Sequence, residues 1–501
     1  MPPVDSQPKQ EHFRRWLLAA GIFFALIFFF SPSFAVFRIV ARAPEMSGLI
    51  ETRRGMSVLE QVAHPGAPTA DELHRAIQWR LLFPVIGHVL NLPASVIFAL
   101  APIGCVVVLA YLASLLRRRG IDWGKTALAL VILGAASWFF TATGWLGYFD
   151  SWLGLGLLLV AFAKNRRTVW IACLLTPWVD ERFVIAAPLA LICRAFCPPE
   201  SGGENKSAVA PWREAVAPAL LLGIFLVVRL VVLPARSAEG ATVGGYFGGR
   251  NFLDAPFSRI ALGVWEGLRA AWLFIVAAVI LLRPRPLRAA IVAGATAIVA
   301  IAGLATAQDY SRSMTMLLPV AVLGLLLAIE QKEVRLAPAL RGGAVAALLL
   351  PAHHVMNDHV RPIFYLYHEL AVLDDPPRLA RPELYELRAI HEMERGEYAA
   401  AHKDLTLAIK LAENPASPAR QRGILAASQG RWQEALGDFS LAVKHDAENP
   451  DAWLMQAQAH LALRDAAAAR TDMERARSLA PSDWTTRPDV ARFLARLNSS
   501  P

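Results

Sequence analysis

Residues 94–116 read ASVIFALAPIGCVVVLAYLASLL, a run without one charged side chain, and Arg117, Arg118 and Arg119 follow it directly. A helix needs about 20 apolar residues to cross the hydrocarbon core of a bilayer. The run is therefore long enough to span a membrane. The basic triplet is typical of the cytoplasmic end of such a span.

Runs of the same kind recur through the first 350 residues. Nine are interpreted as spans: 16–37, 94–116, 126–145, 150–163, 215–233, 260–282, 289–307, 314–329 and 336–352. Two shorter runs, 168–178 and 183–196, are interpreted as halves of a broken crossing buried in the bundle. The sequence thus predicts an all-α polytopic transmembrane helix bundle of about 10–11 membrane segments over residues 1–352.

Composition and charge support this interpretation. The chain has 501 residues, of which 55% are hydrophobic and 18% charged, which excludes a disordered chain. Four cysteines are too few for a disulfide framework. Of the net charge of +9, residues 1–352 contribute +12 (32 basic, 20 acidic) and residues 353–501 contribute −3 (18 basic, 21 acidic). The basic excess therefore indicates membrane topology, and no nucleic-acid partner is expected.

The lysines of the membrane part set the orientation. All of them lie in the N-terminal tail or in alternate loops: Lys9, Lys125, Lys164, Lys206 and Lys332. The positive-inside rule then predicts a multi-pass protein of a bacterial inner (cytoplasmic) membrane, with a cytoplasmic N-terminus and a periplasmic C-terminal domain. A signal peptide ending near Ser33-Phe34-Ala35 is the alternative for the first span. We favour an uncleaved span because the apolar run continues to Phe37.

The C-terminal part contains an internal repeat. Gly396-Glu-Tyr-Ala-Ala-Ala401 aligns with Gly430-Arg-Trp-Gln-Glu-Ala435 at an offset of 34 residues. Three sets of residues follow the same offset: Ala401, Ala435 and Ala469; Leu405, Phe439 and Met473; Ala408, Ala442 and Ala476. This period with small residues at helix contacts resembles the tetratricopeptide repeat (TPR). The predicted domains are a linker over 353–381, three repeats over 382–483 forming an α-solenoid, and a capping helix and tail over 484–501. The groove of such a solenoid either recruits a protein or peptide partner or packs on the membrane domain.

Two long loops are expected on the periplasmic side. The first covers 38–80 and carries Glu45, Asp71, Glu72, Arg75 and Arg80. Its last part, with the apolar residues 81–90, is typical of an amphipathic helix lying at the interface. The second covers 235–258, is rich in glycine, and is interpreted as a mobile loop over the outer mouth.

Three predicted outer turns each carry a carboxylate. One turn contains Asp150, one contains Asp180, Glu181 and Arg182, and one contains Asp309 and Arg312. Ionisable residues at membrane depth are costly and usually have a role, which makes these residues candidates for substrate binding. The alternative is a set of solvated loop charges. His353, His354 and His359 follow the last span and are interpreted as part of a solvated linker, with a metal site as the alternative.

This layout resembles the GT-C superfamily of membrane glycosyltransferases: many spans, a long first outer loop, acidic residues on the outer face and a C-terminal extramembrane domain. The resemblance implies transfer of a sugar from a polyprenyl-phosphate donor to an acceptor outside the cytoplasm, within reach of membrane lipids. It implies that an acidic residue of the first outer loop, here Asp71, Glu72 or Glu45, activates or positions the acceptor. Arg75, Arg80, Arg182 or Arg312 would hold the donor phosphate. No cofactor is expected, and a divalent metal stays open.

Two other classes of function remain. In the first, the membrane part is an anchor and the repeats form a non-catalytic scaffold for a cell-envelope complex. In the second, the protein is a transporter, polymerase or ligase for lipid-linked glycans. Dependence on the outer carboxylates separates the enzyme from the scaffold. Internal repeats among the spans are typical of transporters, and the sequence has none that we detect.

Overall fold

The computed structural model is all-α apart from one short hairpin. It describes residues 6–30, 50–67, 78–197, 211–232, 255–331, 335–356, 360–363, 382–480 and 484–498. The described chain falls into two compact units, residues 6–363 and residues 382–498. We call them the membrane unit and the repeat unit.

The described part of the membrane unit contains sixteen α-helices. In chain order, α1 to α8 are Ser6–Phe29, Ile50–Ala63, Leu82–Val89, Ala94–Arg118, Trp123–Gly134, Ser137–Gly144, Asp150–Phe162 and Arg166–Leu175. Then α9 to α16 are Arg182–Phe196, Pro211–Val227, Phe257–Leu268, Trp272–Leu281, Pro286–Thr306, Tyr310–Ser313, Leu318–Glu330 and Leu336–Leu349.

Within these described residues, six stretches are long and apolar enough to cross a membrane: Gln10–Phe29, Ala94–Arg118, Glu214–Val231, Phe257–Leu281, Pro286–Thr306 and Tyr310–Glu330. Helices α5 and α6 pass the same test together, but they are bent by 70° where the sequence predicts one span over 126–145. Helices α7 and α16 are apolar but shorter. These helices suit a membrane-embedded protein, and the described residues contain fewer full-length spans than the 10–11 segments expected.

The core of the membrane unit is one continuous apolar cluster. It contains the fully buried rings of Trp138, Phe139 and Tyr310. Helices α12 and α15 cross within it at Gly324, where an added Cβ would overlap the carbonyl oxygen of Phe274. Only glycine allows the two backbones to approach this closely.

A two-stranded antiparallel hairpin follows the last membrane-unit helix. Strand β1 is Ala352–Val355 and strand β2 is Val360–Ile363, with Ala352 opposite Ile363 and Val355 opposite Val360. This hairpin occupies the start of the segment predicted to be a linker. The amphipathic helix expected over 71–90 is described only as α3, since residues 68–77 lie outside the described chain, as do residues 233–254 of the glycine-rich loop.

The repeat unit contains three consecutive helix pairs and one further helix. The pairs are α17 and α18 (Pro382–Glu394, Tyr398–Leu411), α19 and α20 (Ala416–Ser428, Trp432–His445), and α21 and α22 (Pro450–Ala462, Ala466–Leu479). Corresponding helices begin 34 residues apart, and each packs on the helix before it. The alanines at the repeated contact positions are buried. Helix α23, Pro488–Asn498, packs its apolar side on the third pair.

Two of the three pairs share an arginine–aspartate contact. In the first pair Arg388 Nη2 donates to Asp404 Oδ1 at 2.7 Å. In the second, Arg422 Nη2 donates to Asp438 Oδ1 at 2.6 Å.

In the third pair, Gln456 occupies the position of the arginine and Asp472 that of the aspartate. The amide of Gln456 donates to Ser440 instead. Oδ2 of Asp472 is buried without a hydrogen bond, and His460 Nε2 lies 3.7 Å away. Burial raises the pKa of Asp472.

Candidate functional site

Charged residues predicted at separate turns of the membrane unit meet in one buried cluster. Asp150 is the first residue of α7 and is fully buried. Arg182 begins α9, and its Nη2 donates to Asp150 Oδ1 at 2.6 Å and to Asp180 Oδ2 at 2.8 Å. The guanidinium thus bridges two carboxylates that the sequence places in different turns.

Arg312 closes this arrangement from the third turn. Its Nε donates to Asp150 Oδ2 at 2.7 Å, and its Nη2 donates to Asp180 Oδ2 at 3.1 Å. Nη1 of Arg182 also donates to the backbone carbonyl of Arg312 at 3.1 Å. Two arginines and two aspartates are therefore mutually bonded, and all four side chains are at most 8% exposed.

Arg80 extends the cluster toward the surface. Its Nη1 lies 2.9 Å from Asp180 Oδ2, and its Nε and Nη2 donate to the two oxygens of Glu181 at 2.8 and 2.7 Å. The side chain of Glu181 is 41% exposed, whereas that of Asp180 is 3% exposed. We call the six residues Arg80, Asp150, Asp180, Glu181, Arg182 and Arg312 the arginine–carboxylate network. Glu181 is its accessible end.

Asp309 lies beside the network but has a different partner. Its Oδ1 caps the short helix α14 by accepting from the backbone N–H of Arg312 at 3.0 Å. Its Oδ2 lies 3.0 Å from His354 Nε2 in strand β1. Burial acts to raise the pKa of Asp309, but His354 and then Arg312 outweigh it and lower the pKa to about 2. Asp309 is therefore a carboxylate anion.

The histidines after the last predicted span were expected to be solvated, but His354 is buried. His354 is 3% exposed, and its ring lies 4.6 Å from the ring of Trp145. His353 points to the other side of β1 and contacts Glu266, with Nδ1 and Oε1 3.0 Å apart. Alternation along the strand sends the two neighbouring rings to different buried carboxylates. Residues 353–363, which were predicted to be part of a linker, show no sequence pattern that would have indicated this hairpin.

Tyr148 connects the network to a further arginine. The guanidinium of Arg312 lies 4.6 Å from the centre of the Tyr148 ring, and that of Arg54 lies 4.3 Å from the same ring. Both contacts have cation–π geometry. Arg54 belongs to α2, a helix inside the first outer loop that was not predicted from the sequence. The sequence shows Arg54 only as one of several arginines of that loop, and nothing there indicates its contact with Tyr148.

The remaining predicted site residues lie outside the described chain. They are the three candidate catalytic carboxylates and one arginine: Glu45, Asp71, Glu72 and Arg75. Their catalytic or binding roles stay predictions. Across the ranges that the structure describes, no group of three or more His, Cys, Asp or Glu side chains is arranged to hold a metal ion.

Comparison with protein-family models gives no match. Comparison with curated proteins likewise finds no relative. The site therefore has to be interpreted from its own chemistry. The network holds the carboxyl groups of Asp150 and Asp180 between arginines, and its edge combines the accessible carboxyl group of Glu181 with cationic groups. Such an edge can bind an anion and can position or activate a hydroxyl group.

Proposed function

We propose that the chain is an integral membrane glycosyltransferase-like protein. It transfers a sugar from a polyprenyl-phosphate donor to an acceptor on the periplasmic side of a bacterial inner membrane. The repeat unit, as a TPR solenoid, recruits the acceptor or a protein partner. The supporting observation is the arginine–carboxylate network, in which residues of three separate turns meet at one place in the helical bundle.

The chemistry of such a transfer suits this arrangement. A polyprenyl phosphate is already anionic and is a good leaving group, so the reaction needs cations that stabilise the departing phosphate. It also needs a carboxylate that accepts the proton of the acceptor hydroxyl. Asp71, Glu72 or Glu45 would be that base. Arg80 and Arg75 would approach the donor phosphate from the first outer loop.

The network refines the roles of the other arginines. The side chains of Arg182 and Arg312, which donate to Asp150 and Asp180, are 7% and 8% exposed, whereas that of Arg80 is 14% exposed. They would position Asp150 and Asp180. Arg80 and Glu181, at the accessible end, would contact the substrate.

A second candidate function is a non-catalytic membrane-anchored scaffold. It is favoured by the same completeness of pairing, because each network carboxylate has an arginine partner. A structural network that only joins helices would look like this. In that case the repeat unit would carry the function by recruiting an envelope complex.

The experiment is an envelope-glycan profile by mass spectrometry of a deletion strain complemented with variants at matched protein levels. The variants are Glu45→Gln, Asp71→Asn/Glu72→Gln, Asp180→Asn/Glu181→Gln and a chain truncated after residue 378. We expect at least one carboxylate variant to give the glycan profile of the deletion strain. If only the truncation does so, the enzyme proposal is wrong and the scaffold is favoured.

A further inference from the structure

The third helix pair of the repeat unit buries a carboxylate that lacks the partner of its counterparts. Asp438 and Asp472 occupy corresponding positions 34 residues apart, and each residue is 8% exposed. Asp438 accepts hydrogen bonds from Arg422 on both oxygens, from Nε at 2.9 Å and from Nη2 at 2.6 Å. Oδ2 of Asp472 has no hydrogen bond among the described residues. A buried carboxylate oxygen without a donor is unfavourable, so Asp472 is suited to accept one from outside.

The corresponding donor in the other two pairs is a guanidinium. Arg388 and Arg422 lie on the first helix of their pairs, each 16 residues before the aspartate that it contacts. Gln456 occupies this position in the third pair. Its amide donates to Ser440 of the preceding pair, and its Oε1 is itself buried without a hydrogen-bond donor. The position that supplies a donor in two pairs therefore supplies none to Oδ2 of Asp472.

The neighbouring histidine does not replace the guanidinium. His460 Nε2 lies 3.7 Å from Asp472 Oδ2, which is beyond hydrogen-bond distance, and His460 Nδ1 lies 3.9 Å from Asp465 Oδ2. One imidazole ring between two carboxylates does not make a metal site, and no three such groups converge on a metal position in the described ranges of the chain. The place next to Asp472 therefore suits an organic cation that donates hydrogen bonds.

Such a cation can reach Asp472 from water. The side chains of Arg388 and Arg422, which bind the equivalent aspartates, are 33% and 22% exposed, so this position lies at the edge of the helix pair. The side chain of His460 is 20% exposed. The side chain of Asp472 is 11% exposed, as is that of Asp438. A cation from outside would therefore meet the same depth of burial that Arg422 meets inside the chain.

We propose that Asp472 binds an arginine side chain of a second polypeptide, at the position that Arg388 and Arg422 fill in the first two pairs. The fork of a guanidinium matches the two oxygens of a carboxylate, and Arg422 shows this geometry on Asp438. Lysine has the same charge but lacks the fork. The inference deepens the recruiting role of the repeat unit and rests on that proposed function, because it specifies the chemistry of the partner.

The test uses the purified full-length chain in nanodiscs and three peptides of the form acetyl-Gly-Gly-Xaa-Gly-Gly-amide, in which Xaa is arginine, lysine or citrulline. Citrulline has the shape of arginine without its charge. Binding is followed by NMR of isotope-labelled methionine methyl groups, since Met455 and Met473 are the sequence neighbours of Gln456 and Asp472. Hydrogen exchange of α21 and α22 is measured in the same samples without peptide.

Two variants remove the binding position in opposite ways. Asp472→Asn removes the carboxylate, whereas Gln456→Arg supplies a guanidinium from within the chain. Their controls are Glu413→Gln and Gln433→Arg, which make the same changes of charge at exposed positions of the repeat unit. We expect the arginine peptide to bind wild type and both controls alike, and to bind each variant about tenfold or more weakly.

The variant Gln456→Arg separates binding from folding. It should bind the arginine peptide less while α21 and α22 become more protected from hydrogen exchange, which a damaged protein would not show. The lysine peptide should bind wild type more weakly than the arginine peptide, and the citrulline peptide should bind none of the proteins.

Three results would count against the proposal. Absence of arginine-peptide binding to wild type overturns it, and so does equal binding by wild type and Asp472→Asn. Equal binding of the lysine and arginine peptides refutes the assignment of arginine. The recruiting role fails separately: arginine-peptide binding by wild type, together with a normal envelope-glycan profile in a strain that carries Asp472→Asn, would refute that role and leave the arginine site intact.

Discussion

The membrane unit and the repeat unit both contain arginine–carboxylate contacts, but the bonded residues lie at different separations along the chain. In the repeat unit, Arg388 meets Asp404 and Arg422 meets Asp438, each pair 16 residues apart on neighbouring helices. In the membrane unit, Arg312 reaches Asp150 across 162 residues. The contact of the repeat unit recurs in two of its three helix pairs. The contact of the membrane unit joins helices that are far apart in the chain, so it depends on the packing of the bundle.

This difference predicts how far the effect of a substitution should extend through the structure. A repeat pair shares its partners with one neighbouring helix, so its loss stays within adjacent repeats. Arg182 and Arg312 each bridge Asp150 and Asp180, which belong to different turns, so the loss of either arginine leaves buried charge in several elements at once. The predictions that follow compare the two arrangements, starting from the largest effect.

Replacing Arg182 by methionine should have the largest effect. The substitution leaves Asp150 and Asp180 buried with fewer cations, and breaking a buried ion pair costs about 3–5 kcal/mol. We expect a strongly lowered unfolding temperature in detergent. The matched control is Arg166→Met, since Arg166 is 53% exposed and contacts Glu214 at 3.2 Å. That exposed pair should cost less than about 1 kcal/mol. Equal unfolding temperatures for the two variants would contradict the role given to the network.

Replacing Arg422 by methionine should have an intermediate and local effect. Its contact with Asp438 is partly exposed, so we expect a loss of about 1–3 kcal/mol. Hydrogen exchange should rise in α19, α20 and their neighbours, and should stay unchanged in the membrane unit. A rise that includes the helices of the network would show that the repeat pair is not a local contact.

Replacing Gln456 by arginine should stabilise the third helix pair. The substitution restores the guanidinium that the first two pairs have, opposite Asp472. A charge-assisted hydrogen bond to a partly buried carboxylate contributes about 1 kcal/mol or more. Protection from hydrogen exchange in α21 and α22 reports the gain. The control is Gln433→Arg, which adds the same charge at an exposed position and should give no gain.

The gain from Gln456→Arg should depend on pH. Burial raises the pKa of Asp472 above its ordinary value of 3.8. The cost of holding its carboxylate charged is therefore present above the folded-state pKa and disappears as the pH falls toward 3.8. We expect the variant to be more protected than wild type at pH 7 and to lose part of that advantage near pH 4. A gain of the same size at both pH values would exclude Asp472 as the partner.

Much of the architecture follows from local sequence signals. The apolar runs predict most membrane-unit helices, because length and hydropathy alone decide whether a segment suits the bilayer. The offset of 34 residues predicts the helix boundaries of the repeat unit, because each repeat has to present the same contacts to the next. The same signals miss the bend between α5 and α6. That bend lies at residues 135 and 136, inside an apolar run that is continuous in the sequence.

The candidate site was only partly predictable. The three turns with carboxylates are visible in the sequence, but nothing there says that Asp150 contacts Arg182 and Arg312. Those contacts join residues that are 32 and 162 positions apart, and no local period of the sequence encodes such separations. Arg54 and His354 were missed for the same reason. Each of these two side chains contacts a residue that is distant in the sequence, Tyr148 for Arg54 and Asp309 for His354.

The long reach of the network has a consequence for how the protein is made. A ribosome adds about 5–20 residues per second, so Asp150 leaves it roughly 8–30 seconds before Arg312, which follows 162 residues later. During that interval the carboxylate of Asp150 lacks its contact with Arg312. A chain that stalls before Arg312 keeps this uncompensated charge. The network can therefore be completed only after synthesis has passed residue 312.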